Sequence, residues 1–358
     1  MPSSEERPTL LRPPEADPDK APVENALEVT ELGVLGPVST YMVALSESTT
    51  SPLTKPPQDI FTNAREVWHP PGARGIYGGA VIAQCLASAQ KTVPSDFLPH
   101  SCHCYFLLAG SPSIPILFHV ERVRDGRSFA TRTVQARQRG RCIFTTTISF
   151  AKAEDSSKKQ VRHAAPLPEG VMASKPADDW EETGPGEYKG TIQSAGFTVL
   201  RGEDDTAEPQ DRRCRIWMRA RGHISEEGGH QAHLNALAYM SDSYFIGTVS
   251  RIHRLWRFPI APRDVDKLPA RTRDMVREQL RHEGMGADPE SWEGRPQVGM
   301  LVSLDHSIYF HEPRRVRADQ WMFTEMESPW AGEERGVVTQ RIFAADGTLL
   351  ASCMQEVS

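Results

Sequence analysis

Asp242 stands in HLNALAYMSDSYF, a run whose apolar residues recur at helical spacing. An ionised carboxylate in such surroundings is expensive unless it is paired or hydrogen-bonded, which makes Asp242 a candidate acid or base. A solvated position would carry the same letter. Further along, Asp305-His306 could imitate a nucleophilic pair. Adjacent strand residues point to opposite faces, so the two cannot both face one substrate and are read as supporting or structural. His100 and His103 titrate near neutral pH and could act as bases, but hydrogen-bonded strand histidines are the preferred reading. No G-x-S-x-G elbow occurs, which argues against a serine nucleophile of the α/β-hydrolase kind. Cys85, Cys102, Cys104, Cys142, Cys214 and Cys353 follow no zinc-ligand spacing, so buried thiols rather than metal ligands are expected. Cys102-x-Cys104 puts two thiols on one face of a strand.

These residues need elements to hold them. AVIAQCLASAQKTV follows Gly78-Gly79 with small and aliphatic residues at helical spacing, and stops at Pro94; this predicts one helix. Then come HSCHCYFLLAG, PILFHVERVRDG, RSFATRTVQARQRG and RCIFTTTISF, four β-branched and aromatic runs separated by glycine-containing turns, which predict antiparallel strands. A second block repeats the order. HQAHLNALAYMSDSYFIG after Gly228-Gly229 predicts a helix, and LVSLDHSIYFHEP, QWMFTEMESPW, RGVVTQRIFAADG and TLLASCMQE predict strands. Tyr105-Phe106 is echoed by Tyr309-Phe310, and Arg139-Gly140 by Asp346-Gly347, at the last hairpin of each block. The expected fold class is therefore α+β: two antiparallel sheets, each wrapped around a long central helix.

Residues 1–26, rich in proline and acid, read as a disordered leader. Residues 27–155 form the first domain, 156–210 a polar linker, and 211–358 the second domain. That second domain carries a charged insertion at 259–297, with a solvated helix over Asp264–His282. A net charge of −6 with 25% charged residues gives no nucleic-acid footprint. No window approaches the roughly 20 apolar residues that cross a bilayer, and the start lacks the apolar core of a secretory signal, so no membrane insertion and an intracellular location are expected.

The segments YGGAVIAQCLASAQKTVP, HSCHCYFLLAG, PILFHVERVRDGRSFATRTVQARQRGRCIF, GGHQAHLNALAYMSDSYF, LDHSIYFH, ADQWMFTEMESPWAGEERG and DGTLLASCMQE resemble the acyl-CoA thioesterase II family, the TesB-like double-hotdog hydrolases that include peroxisomal enzymes. The likeness covers most of residues 60–155 and 213–356, in the family's order.

It implies a double hotdog fold and hydrolysis of fatty acyl-CoA by direct attack of an activated water. The catalytic roles fall on Asp242, Ser303 and Gln355. Gly78, Gly79, Gly229 and His230 open the two helices and are candidates to bind the substrate as oxyanion donors. In the first block Ser88 or Ala89 stands near the position of Asp242, so that block is expected to be catalytically silent. Arg74, Arg124, Arg127, Arg137 and Arg139 are candidates for the coenzyme phosphates. No cofactor or metal is implied. A homo-dimer or tetramer is.

The compartment is expected to be peroxisome or cytoplasm, although no SKL-type tripeptide closes the chain. Alternatives are a thioesterase for polyketide or branched acyl-CoA, an enoyl-thioester hydratase, and an acyl-CoA-binding protein with impaired catalysis. The last is prompted by the end of the chain. Where relatives run on past QEG, this sequence stops at Gln355-Glu356-Val357-Ser358, and the strand bearing Gln355 is expected to fray.

Overall fold

The structure is a computed structural model. It describes residues 13–35, 58–70, 73–152, 161–181, 190–201, 207–258, 260–282 and 288–358. The chain divides into two compact units, 1–20 with 24–159 and 21–23 with 160–358.

In the first unit, β1 (Val29–Leu35) and β2 (Gln58–Asn63) precede α2 (Gly78–Gln90); a short α1 (Pro22–Leu27) comes before them. Then follow β3 (Phe97–Phe106), β4 (Leu117–Asp125), β5 (Phe129–Gln138) and β6 (Arg141–Lys152). All pairings are antiparallel, in the order β1-β2-β4-β5-β6-β3. The α2 sequence GGAVIAQCLASAQ carries no charge, and every residue from Gly79 to Gln90 is buried. A helix that is apolar all round must be covered, and α2 packs on β1 and β3 to β6. The strand β5 alternates strictly, turning Ala130, Arg132, Val134, Ala136 and Gln138 inward.

One of those inward residues is a cation. The guanidinium of Arg132 is 1% exposed and lies where α2 ends. It donates to Thr92 Oγ1 at 2.8 Å and Thr92 O at 2.9 Å, to the carbonyls of Arg124 and Thr131, both at 3.0 Å, and to the Asp125 carboxylate. Replacing it with methionine strands these acceptors. Arg132→Met is expected to destabilise the protein by about 3 kcal/mol, read from urea denaturation; a loss below about 0.5 kcal/mol would show that water satisfies the acceptors instead.

All six cysteines are free thiols, and only Cys142 is not fully buried. Cys102 and Cys104 share a face as their spacing requires, with sulfurs 3.4 Å apart and Thr146 Oγ1 within 3.3 Å of both.

The second unit repeats the plan. It contains β7 (Ile192–Leu200), β8 (Arg213–Ala220), α3 (Gly229–Ser241), α4 (Thr248–Ile252), α5 (Ala270–His282), β9 (Asp305–Phe310), β10 (Met322–Gly332), β11 (Arg335–Ala344) and β12 (Leu349–Val357). Its strand order, β7-β8-β10-β11-β12-β9, is that of the first unit position by position. The echoed hairpins also match: Gly140 and Gly347 both take positive φ, +75° and +88°. Val171, Ala195, Trp217, Trp321, Phe323 and Phe343 form one core cluster.

Three expectations change. Residues 13–26 include most of α1, and Ala21 and Val23 are buried although the composition reads as a leader; residues 1–12 of that leader lie outside the described residues. The stretch read as linker contains β7, which pairs with β8; the charged text around it hides the alternation IQSAGF, while 156–160, 182–189 and 202–206 lie outside the described residues.

The insertion, finally, is not merely a wet helix. Its predicted helix is split into a 3-10 turn, Pro262–Lys267, and α5, because the residue before Pro269 is pushed into extended backbone. Trp256, Val265, Val276, Leu280 and Trp292 build a small core there, with the Trp256 and Trp292 rings 5.8 Å apart. Apolar residues spaced that widely among charges give a weak periodic signal.

Candidate active site

Asp242 caps the C-terminus of α3 (φ −87°, ψ −7°) and is 7% exposed. The helix dipole presents its negative end there and opposes the carboxylate. Two residues on, Tyr244 takes a left-handed φ of 62° that turns the chain toward α4. Its ring stacks on Phe197 with centroids 5.4 Å apart, its hydroxyl lies 2.8 Å from Ser194 Oγ, and the Arg251 guanidinium sits 5.4 Å above it. The bend that ends α3 at Asp242 is thus held from three sides.

Gln355 lies on β12 facing inward and fully buried. Its Nε2 donates to Ser303 Oγ, and its Oε1 is 3.1 Å from His306 Nδ1. With the amide so placed, Nδ1 carries the imidazole proton. His306 Nε2 lies 3.0 Å from Ser241 Oγ, whose one proton also faces Ala238 O at 2.9 Å and is shared between the two acceptors. The result is a hydrogen-bonded chain, Ser303–Gln355–His306–Ser241, ending on the residue bonded to Asp242. Ser303 accepts from the amide, so its own proton points elsewhere. The Phe245 ring meets His306 edge-on at 5.4 Å.

The expected fraying does not occur. Val357 bridges Ser303, Val302 N–H donates to Ser358 O at 2.7 Å, and Ser358 N–H donates to Val302 O at 2.9 Å. Leu304 N–H donates to Glu356 O at 2.9 Å, and the Asp305 carboxylate accepts the Glu356 N–H at 2.7 Å. Asp305 and His306 do face opposite ways, as alternation demands: one pins the backbone of β12, the other the side chain of Gln355.

Burial pushes the His306 imidazole from an ordinary 6.5 to about 4, against the Gln355 hydrogen bond, which raises it. The ring is therefore neutral in the native state at pH 7. Between about pH 6.5 and 4 the unfolded chain binds a proton that the native chain refuses, so stability falls as pH drops through that window, by up to about 3 kcal/mol. Urea titrations across the window are expected to show this slope in the wild type and a flatter one in His306→Gln. Equal slopes would refute the assignment.

The other candidate positions are distributed differently. Among the described residues, no group accepts the N–H of Gly78 or Gly79 at the start of α2. Gly228 N–H instead donates to Ser225 Oγ at 3.1 Å, and Gly229 N–H to Ser225 O at 3.3 Å. The first turn of α3, including Gly229 and His230, is also about 18 Å from Asp242, twelve residues at 1.5 Å each. An oxyanion must lie about 3 Å from its donors, so the start of α3 cannot serve a water held at its own C-terminal end.

Arg124 lies near the end of β4 and Arg127 in the turn before β5, whereas Arg139 lies in the turn after β5, roughly 30 Å away along an extended strand. They cannot grip one phosphate together. Arg137 is spent on Gln135 Oε1 and Gly140 O, while Arg74 lies on the segment before α2.

His100 Nε2 bonds Ser149 Oγ at 2.8 Å, and burial followed by the neighbouring His103 lowers its pKa; His103 itself is exposed. Counted from the start of each 13-residue helix, the counterpart of Asp242 is Lys91, not Ser88 or Ala89. No carboxylate stands there either. Sequence reasoning passed over Ser241, and it passed over the Arg314-Arg315-x-Arg317 run, whose charge density was the available signal.

Two units of the same strand order, each with a helix on an antiparallel sheet, place the protein among hotdog-fold proteins. It resembles a hotdog-fold protein of Alicyclobacillus acidocaldarius at 15% identity and a TM-score of 0.54, covering 94% of this chain and 96% of that one. The chain belongs to the acyl-CoA thioesterase family: residues 168–358 match the model of the acyl-CoA thioesterase C-terminal domain, and 65–151 that of the N-terminal domain.

It is 33% identical over 315 residues to acyl-coenzyme A thioesterase 8 of Rattus norvegicus, covering 84% of each chain. It is 24% identical over 304 residues to peroxisomal acyl-coenzyme A thioester hydrolase 1 of Saccharomyces cerevisiae, covering 80% of this chain and 86% of that one. Among solved structures it resembles acyl-CoA thioesterase II TesB2 from Mycobacterium marinum at 28% identity and a TM-score of 0.55, covering 83% of this chain and 90% of that one. Among the described residues, no helix is long and apolar enough to cross a membrane.

Proposed function

We propose that the protein hydrolyses medium- to long-chain fatty acyl-CoA to free fatty acid and coenzyme A, through a water held by Asp242, Ser303 and Gln355. The observation that carries the reading is the hydrogen-bonded chain from half-buried Ser303 through Gln355 and His306 to Ser241, the residue that precedes Asp242. Asp242 takes a proton from the water while Ser303 and Gln355 orient it. The hydroxide equivalent attacks the thioester carbonyl, the tetrahedral intermediate expels the thiolate, and the proton on Asp242 returns to sulfur. His306 touches no reacting atom in this scheme; it positions Gln355.

Each unit is read as a hotdog domain whose sheet wraps around α2 or α3, and the pair as a double hotdog. Peroxisome or cytoplasm is the proposed compartment, and a homo-dimer or tetramer the proposed assembly. The test is free-thiol release from acyl-CoA of graded chain length, followed with a thiol reagent. Release that peaks between C8 and C16 supports the reading. Binding without release would leave an acyl-CoA-binding protein, and water addition to an enoyl-CoA without free thiol would make it a hydratase.

A further inference from the structure

The segment Glu312 to Asp319 carries three arginines in four positions, Arg314, Arg315 and Arg317, all exposed. The 3-10 turn Pro313–Arg315 packs against α3. Together with Gln320 and Asp346 the arginines line a cleft of about 440 Å³. Charge is not balanced there. Asp346 pairs with Arg315 at 2.6 Å, but among the described residues neither Arg314 nor Arg317 makes an ion pair.

Arg317 Nη1 donates to Val316 O at 2.9 Å and Arg314 O at 3.3 Å, and lies 3.5 Å from His230 Nδ1. Its Nε and Nη2 are not engaged by any described residue. Burial, then Arg317 and Arg314, hold His230 below its ordinary pKa, so its ring is neutral and accepts from Arg317. Like charges kept together in a concave surface are unfavourable until an anion enters. The first turn of α3 adds the positive end of a helix dipole. At Gly229 (φ +52°) nothing lies within 4 Å of where a Cβ would stand, which leaves room for a bulky oxyanion.

We propose that this arginine cleft at the start of α3 binds the phosphate groups of the coenzyme's nucleotide. The inference rests on the acyl-CoA thioesterase reading. It gives Gly229 and His230 a place in substrate binding other than the oxyanion role that their distance from Asp242 rules out. A guanidinium matches a phosphate edge in bidentate fashion, and two arginines without carboxylate partners suit a phosphomonoester or a diphosphate. The separation of about 18 Å between the start of α3 and Asp242 is of the order spanned by an extended pantetheine arm, which joins the phosphates of the coenzyme to its sulfur.

The test compares wild type with Arg314→Gln/Arg317→Gln on octanoyl-CoA and on octanoyl-pantetheine, which carries the same thioester without phosphate. The ratio of kcat/KM for the two substrates is expected to fall at least tenfold in the variant, through KM for octanoyl-CoA, and to lose most of its dependence on salt. An unchanged ratio, or equal losses on both substrates, overturns the proposal.

Calorimetry with coenzyme A decides the matter independently of turnover. Binding at least tenfold weaker in the variant supports the site, and equal affinity overturns it. Inorganic phosphate binding as tightly as coenzyme A would also overturn it, since the cleft would then be a site for free anions. If the wild type binds coenzyme A in an arginine-dependent way but releases no thiol from either ester, the thioesterase reading fails and the cleft stands. Thermal melts of both proteins, and Arg314→Gln alone, guard against misfolding.

Discussion

Asp242→Asn is expected to lower kcat for acyl-CoA hydrolysis about 1,000-fold, with KM changed less than threefold. The substitution keeps the shape of the side chain and its capacity to accept a hydrogen bond at the end of α3, but removes the base. Positioned bases of this kind contribute roughly 10²–10⁴ in rate. Asp242 is buried at a helix end whose dipole opposes its charge. Steady-state thiol release, with circular dichroism to confirm folding, checks the expectation. A variant retaining a third of wild-type kcat would sink the mechanism, and a comparable loss in His100→Ala but not in Asp242→Asn would move the base to the first unit.

Gln355→Ala is expected to cost about 100-fold in kcat and to lower stability by roughly 1–3 kcal/mol, the cost of leaving buried partners unsatisfied. The amide is the centre of the chain: its loss strands His306 Nδ1–H on one side and frees Ser303 Oγ on the other. Gln355→Glu separates the two effects. A carboxylate still accepts from His306 but cannot donate to Ser303, so stability should be largely recovered while kcat stays low. Urea melts and kinetics on the three proteins decide. Recovery of kcat in the glutamate variant, or a melt lowered with kcat unchanged, would leave Gln355 a structural residue only.

The eight strands that follow the two helices were legible because their runs are rich in β-branched and aromatic residues, and because the β5–β6 and β11–β12 turns carry a glycine that takes positive φ. The two helices were legible because an apolar run bounded by Gly-Gly and Pro leaves little choice. Four strands escaped. QDIFTN is only six residues long, and RCRIWMRA alternates but sits beside acidic and proline-rich text that reads as linker.

Within the site, Asp242 declared itself through an apolar context, and Asp305 and His306 had to diverge by simple alternation. Which residue His306 would meet was not legible, because Gln355 lies 49 residues away and nothing local sets the register of β9 against β12. The fraying expected at Gln355 failed for a related reason. The pairing of Val302 with Ser358 and of Asp305 with the Glu356 backbone is tertiary, and a count of residues to the end of the chain cannot see it.

The matched ends of the two helices have a further implication. In the first unit α2 runs out onto Lys91, with the Arg132 guanidinium on the Thr92 carbonyl just beyond, so cations meet the negative pole. In the second, α3 runs out onto a carboxylate, which the same pole repels. At this one position the two halves of the repeat therefore differ in sign: a cation complements the helix pole in the first, whereas in the second the pole opposes the charge placed against it.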